Sequence, residues 1–229
     1  MMHFETGHLY HVYNQGNNRQ AIFYKADNYL YFLNKIRSHI IPYCDILAWC
    51  LMPNHFHLMV RVNKLEAEIQ SPSTTRSRTR TENARIDLLQ KSNSSDDFLQ
   101  DVNSHPMSKG RAINQSIAIL LRSYTRAINK QEGLSGSLFR QKTKAECLTY
   151  ADGIQPSFYD SHAGTIINVE QAEKQYPQLC YSYILNNPVK AGLVAKTEDW
   201  EYSSAKDVKS VRNGSLINRE VIMEFGLTF

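Results

Sequence analysis

Cysteine is scarce in this chain. Cys44, Cys50, Cys147 and Cys180 form no CxxC pair and no tight framework, so a disulfide-stapled scaffold is excluded and a reducing intracellular setting is expected. Long apolar runs are missing as well. No stretch approaches the roughly 18 continuous apolar residues that cross a bilayer. The opening "MMHFETGHLYHVYNQ" has no basic region followed by an apolar run, so no secretory leader is expected. Nor is there an excess of one charge: 26 Lys and Arg against 22 Asp and Glu leave +4, spread along the chain. That balance permits a nucleic-acid partner without demanding one. Internal repeats are absent too.

What is present suffices for a folded core. With 229 residues, 42% of them hydrophobic, the chain reads as one domain over 1–229 carrying insertions. "HLYHVYN" (8–14) alternates as a strand. After the loop "QGNNRQ", Asp27 is placed to cap a helix to about His39, with Tyr29, Leu33, Ile36 and Ile40 at helical spacing. "YCDILAWC" (43–50) and "HFHLMV" (55–60) are strand-like runs about Pro53-Asn54, a hairpin signal. Residues 63–108 turn polar and Ser/Thr/Arg-rich and read as an insertion; its Arg76, Arg78 and Arg80 are expected to be solvated.

Helical period returns in "GRAINQSIAILLRSYTRAINKQ", where Ile113, Ile117, Leu120, Leu121, Tyr124 and Ile128 form one stripe. "GSLFRQKTKAECL" (136–148) alternates as a half-buried strand. A second insertion is expected over 150–175. A short helix in "QLCYSYILNNPVKAGLV" would be closed by Pro188, and an extension over 205–229 carries a last helix in "LINREVIMEFG". The order βαββαβ predicts an α+β, ferredoxin-like antiparallel sheet with helices on one face.

The informative stretch is "LMPNHFHLMV" (51–60). Residues two apart on a strand share a face, so His55 and His57 point one way while Phe56, Leu58 and Val60 meet the helices. Paired imidazoles on a rigid strand can converge on one metal ion; equally, both are ordinary half-exposed strand residues. Tyr183 and Asn187 lie four apart on one helix face. An amide oxygen there can ligate with a phenol one turn away, or Tyr183 packs in the core and Asn187 merely ends the helix. Tyr181, the neighbouring phenol, has no Asn four residues on.

Taken together, "MPNHFHLMV", "GSLFRQKTKA", "YSYILNNPVKAGLV", "DWEYSS", the N-terminal "YHVYNQGNNRQAIFY" and the C-terminal "SLINREVIMEFG" resemble one family. It is the REP-associated tyrosine transposases, a branch of the IS200/IS605-like single-tyrosine HUH transposases. The resemblance implies a bacterial, cytoplasmic, nucleoid-associated enzyme that cleaves and rejoins single-stranded DNA next to hairpins, as a homodimer or a monomer. It implies His55, His57 and Asn187 as ligands of Mg²⁺ or Mn²⁺ and Tyr183 as the nucleophile. Asn17, Arg19, Arg140, Lys142 and Lys144 are the candidate DNA contacts, with an ordinary exposed basic face as the alternative.

No carboxylate in the sequence identifies itself as a base for the phenol, and 13 Tyr and 9 Phe are too many to pick out a base-stacking residue. Two other functions compete. One is a non-catalytic DNA-binding protein derived from a transposase. The other is a zinc hydrolase, because a two-residue hairpin loop would put Cys50 opposite His57 and make a His₂Cys set.

Overall fold

Alternation in "LYHVYNQ" becomes strand β1 (Leu9–Gln15) in a computed structural model that describes residues 2–68, 110–149 and 172–229. The chain forms two units, 1–67 with 111–229 and 68–110, and every element below belongs to the first. The Arg76, Arg78 and Arg80 cluster lies outside the described residues, as does residue range 150–171.

β1 is followed by α1 (Ala26–His39), β2 (Cys44–Met52), β3 (His55–Val62) and a two-residue ladder of β4 (Glu66–Ala67) with β5 (Arg111–Ala112). Then come α2 (Ile113–Glu132), β6 (Lys144–Cys147), α3 (Ala172–Lys190), α4 (Ala205–Val208) and α5 (Arg219–Glu224). The main sheet runs β2-β3-β1-β6 with every pair antiparallel, the ferredoxin-like order. The β4–β5 ladder closes the base of the first insertion where it leaves and rejoins this unit.

One face of the sheet carries an aromatic core. Phe32 of α1 packs on Phe23, Phe56, Tyr124 and Phe139 at centroid distances of 4.8–6.4 Å. Loss of such a ring typically costs about 3–5 kcal/mol. Tyr124 donates its buried hydroxyl to the Ile22 carbonyl at 2.7 Å, tying α2 to the first loop. The α2 stripe is buried as its period predicts, except that Leu121 is only half-buried.

Four local expectations change. Asp27 sits inside the first turn of α1, and it is Asn28 Oδ1 that accepts from the Tyr24 and Lys25 amides at 3.0 and 3.1 Å. The fourth strand shrinks to Lys144–Cys147. Before it, Leu138 and Phe139 are both buried, so alternation fails. There the Asn14 side chain donates to the Arg140 carbonyl and to Thr143 Oγ1, at 3.2 and 2.9 Å, beside a backbone bond from the Arg140 amide to the Gln15 carbonyl at 2.8 Å.

The helix of "YSYILNNP" is longer than expected and runs through Pro188 to Lys190. Pro188 lacks the amide that would bond the Ile184 carbonyl and its ring crowds that carbonyl, but it stands in the last turn, and the chain turns at Gly192, whose φ of +69° suits glycine. Finally, the helices do not all lie on one face: α1 and α2 cover the Phe56 side, while α3 crosses the His55–His57 side.

The C-terminal segment covers the otherwise open edge of β2. Tyr202 accepts from the Leu51 amide, Ser204 donates to the Trp49 carbonyl and Asn218 donates to the Ile46 carbonyl, all at 2.8–2.9 Å. Such cover removes a pairing template for other chains. Asp45 pins it: Arg61, Asn63 and Asn218 each donate to its carboxylate at 2.8–2.9 Å. Burial pushes this carboxyl up, but those three donors outweigh it and leave the pKa below its ordinary 3.8.

The folded protein therefore binds that proton more weakly than the unfolded chain. The stabilisation is present in full above the ordinary value and is lost as pH falls from there through the lowered value of the folded protein. Asp45→Ala is expected to lower unfolding stability by about 2 kcal/mol at neutral pH. Its denaturant midpoint should also fall less steeply between pH 5 and 3 than that of the wild type, and parallel midpoint curves would refute the assignment.

Candidate active site

Pro53 and Asn54 form the two-residue turn between β2 and β3, and the ladder pairs Met52 with His55 and Cys50 with His57. The turn is held from outside. The Pro53 carbonyl accepts from the Ile22 and Phe23 amides, and Gly16 donates to the Asn54 carbonyl. A Cβ at Gly16 would collide with the Gln20 carbonyl, so that approach needs glycine. Asn54 has a second task. It accepts from His55 Nδ1 at 2.6 Å and donates to the Arg19 carbonyl at 3.2 Å, fixing ring and loop together.

β1 pairs with β3 so that Tyr13 lies opposite His57 and Gln15 opposite His55. Residues facing each other across a ladder share a side, so His11, Tyr13 and Gln15 join the histidine face. His11 Nε2 and His57 Nδ1 share a hydrogen bond of 2.9 Å, one ring donating and the other accepting. Both rings are almost fully buried. Burial holds His11 down to about 3 and His57 well below its ordinary 6.5, with the neighbouring imidazoles adding to the shift at His57. His55 is lowered by burial too, in part offset by its contact with Asn187. All three rings are neutral at physiological pH.

α3 supplies the remaining groups. Asn187 is buried and touches both rings, Oδ1 at 3.2 Å from His55 Nε2 and Nδ2 at 3.5 Å from His57 Nε2. One turn earlier, the Tyr183 ring stands edge-on to His57 at 5.3 Å between centroids. Burial raises the Tyr183 phenol and a hydrogen bond with Asn187 pulls it back. Lys190 Nζ lies 5.7 Å from the Tyr183 ring centroid. Tyr181, two residues before, is fully buried in the core instead.

These groups suit a divalent cation. With Nδ1–H donated to Asn54, His55 presents a lone pair at Nε2, and what it meets is the carbonyl oxygen of Asn187. Two acceptors face each other, which a cation between them would satisfy. Their 3.2 Å separation is near the roughly 3.0 Å edge of an octahedron with bonds of about 2.1 Å. The neutral imidazoles agree with this, because protonated rings cannot ligate.

A His₂Cys zinc set does not fit. Cys50 is opposite His57 as the turn requires, but its thiol is fully buried and pushed up by burial. Among the described residues no three His, Cys, Asp or Glu side chains group as metal ligands.

The site opens into a cleft of about 700 Å³ lined by His11, Tyr13, His55, His57 and Tyr183, with Arg19, Arg140, Lys142 and Lys144 around it. Four of the five expected DNA contacts thus border the candidate nucleophile. Asn17 does not. Its side chain donates to the Ser137 carbonyl at 2.7 Å and braces the loop. Sequence reasoning missed His11 and Asn54. The first becomes legible only through the β1–β3 register, and the sequence marks the second only as a turn residue.

Among the described residues no helix is long and apolar enough to cross a membrane. No family model and no curated protein matches the chain. A solved structure described as a REP-associated tyrosine transposase bound to a REP hairpin is similar, with a TM-score of 0.46 and 15% identity, over 95% of this chain and 94% of that one.

His11→Phe keeps a ring in place and removes the partner of His57 Nδ1. It should lower stability by about 1–3 kcal/mol and abolish a slowly exchanging imidazole N–H signal in the NMR spectrum. A spectrum that keeps this signal would show that the His11–His57 bond is not made.

Proposed function

We propose that this chain is a metal-dependent single-stranded DNA endonuclease and strand transferase, acting next to hairpins through a 5′-phosphotyrosine intermediate. The observation that carries the reading is the contact of Asn187 with His55 and His57, while these histidines and Tyr183, its ring edge-on to His57, line one basic cleft.

Tyr183 Oη forms the bond to phosphorus, the P–O3′ bond breaks, and the departing 3′ oxygen takes up a proton. The enzyme keeps the 5′ phosphate as a diester of tyrosine, so the 3′-OH of another strand can attack it and release the phenol. No outside energy source is needed. Mg²⁺ or Mn²⁺ held by His55, His57 and Asn187 would act as a Lewis acid on the scissile phosphate.

The residues divide the other tasks. Asn54 and His11 orient the two imidazoles. Arg19, Arg140, Lys142 and Lys144 draw in the phosphate backbone. A strand must be unpaired at the cut, because a duplex would hold its phosphate away from a phenol this enclosed.

The test is a labelled hairpin oligonucleotide with a single-stranded tail, incubated with Mn²⁺ and resolved under denaturing conditions. Protein should be attached to the 5′ side of the cut, and Tyr183→Phe should yield no adduct. Oligonucleotide left intact by the wild type would favour a DNA-binding protein without catalysis. Cleavage that survives Tyr183→Phe would mean hydrolysis with no covalent step. Asn187→Ala should slow adduct formation at least ~10-fold, with partial recovery at raised Mn²⁺; a loss insensitive to metal would remove Asn187 from the ligand set.

A further inference from the structure

With 13 Tyr and 9 Phe the sequence cannot single out a ring for stacking bases, but the cleft can. Its aromatic lining is His11, Tyr13, His55, His57 and Tyr183. In the proposed function His55 and His57 hold the cation and Tyr183 attacks the phosphate. His11 is 1% exposed and bonded to His57 Nδ1, so it offers no surface. Tyr13 is left, half-buried on β1 and facing the same space. The tyrosines that serve the core are placed differently: Tyr10, Tyr43, Tyr124, Tyr176 and Tyr181 are almost fully buried.

Tyr13 is held as a fixed surface. Its ring stacks on His11 at 4.6 Å between centroids and 27° between planes, and it lies 5.9 Å from the His57 ring. Its hydroxyl donates to Glu146 Oε1 at 3.2 Å, and Tyr176 of α3 donates to Glu146 Oε2 at 3.3 Å. A ring fixed in this way loses little conformational freedom when something packs on it.

Cations and a hydrogen-bonding side chain surround it. Lys144 is its partner across the β1–β6 ladder, and Arg19, Arg140 and Lys142 line the same cleft. None of these four makes an ion pair among the described residues. Gln15 stands two residues on, on the same face of β1 and about 7 Å along the strand. Its side-chain amide borders the cleft and bonds nothing among the described residues. An amide presents a donor and an acceptor side by side, a pair that a base edge can match.

We propose that Tyr13 is the platform on which an unpaired base beside the scissile phosphate stacks, and that Gln15 hydrogen-bonds the edge of that base. Sites for single strands join a basic groove, which holds the backbone whatever its sequence, to aromatic faces that hold the bases. The cations alone would accept any polyanion. The ring lets the cleft distinguish a strand with bases from a bare backbone. Because the Tyr13 ring neighbours His57, the stacked base belongs to a nucleotide adjoining the phosphate at the cation. The inference rests on the proposed function for which phosphate that is, but base recognition is measurable without cleavage.

The experiment is fluorescence anisotropy with EDTA present, so that no strand is cut. The labelled probes are short oligo-dA, oligo-dC and oligo-dT strands and an abasic strand of the same length. Wild type should bind oligo-dT at least ~5-fold more tightly than the abasic strand, and Tyr13→Ala should erase that difference. Affinity for the abasic strand and the slope of affinity against salt should be the same in both proteins, because no phosphate contact is lost. Tyr13→Phe, which keeps the ring, should recover most of the base-dependent binding. Gln15→Ala should lose at least ~5-fold on one or more of the three bases and less than twofold on the abasic strand.

The proposal is overturned if wild type binds the abasic strand as tightly as the others, if Tyr13→Ala weakens all probes equally, if Tyr13→Phe fails as fully as Tyr13→Ala, or if Gln15→Ala changes nothing. Base-dependent binding by a wild type that forms no covalent adduct would keep the platform and remove the nuclease. An adduct formed without base-dependent binding would do the reverse.

Discussion

Tyr13 pairs with His57 and Gln15 with His55 across the β1–β3 ladder, and that register brings His11 Nε2 to 2.9 Å from His57 Nδ1. A slip of one residue would put Val12 where His11 stands and send His11 toward the aromatic core on the opposite face. The ladder thus decides both which imidazole supports His57 and whether the sheet has a polar face at all. It is held in turn by the first loop. The Gly16 amide and the Ile22 and Phe23 amides all bond the Pro53-Asn54 turn, so β1, the loop and the hairpin form one cross-linked unit.

On that platform α3 brings the second half of the site, and Asn187 is where its demands meet. The one amide contacts His55, His57 and Tyr183. A burial strong enough to keep three imidazoles neutral also raises the phenol, which works against a tyrosine nucleophile. The one group that opposes this is local, the Asn187 hydrogen bond, and it does not cancel the rise. Glu146 does share the histidine face, opposite His11, but its carboxylate accepts from Tyr13 and Tyr176.

Much of this was legible in the sequence because it is local. Two-residue periodicity put His55 and His57 on one face, and helical spacing put Tyr183 one turn before Asn187. The two-residue turn fixed Cys50 opposite His57. What escaped was set by distant partners. His11 looked like one more alternating residue until β1 found β3. Asn54 looked like a turn former until its side chain met His55 and Arg19. The expected fourth strand is interrupted at 140–143, where the Asn14 side chain reaches across from β1 to the Arg140 carbonyl and Thr143. Pro188 was read as a stop although its ring is tolerated in the final turn, and Gly192 two residues beyond the helix makes the turn.

The distribution of unfavourable groups is itself informative. Buried neutral imidazoles fill space that Leu or Val would fill with greater stability, and unpaired exposed cations repel. The C-terminal segment, which covers the β2 edge, holds Lys206, Lys209 and Arg212 in ion pairs and buries Leu216, Ile217, Val221 and Ile222. The buried imidazoles gather instead on the histidine face of β1 and β3, and the cleft they line is edged by Arg19, Arg140, Lys142 and Lys144, which make no ion pair among the described residues. Covering an edge and filling a core account for the first arrangement. They do not account for the second, where an anionic ligand in the cleft would offset the repulsion among the cations.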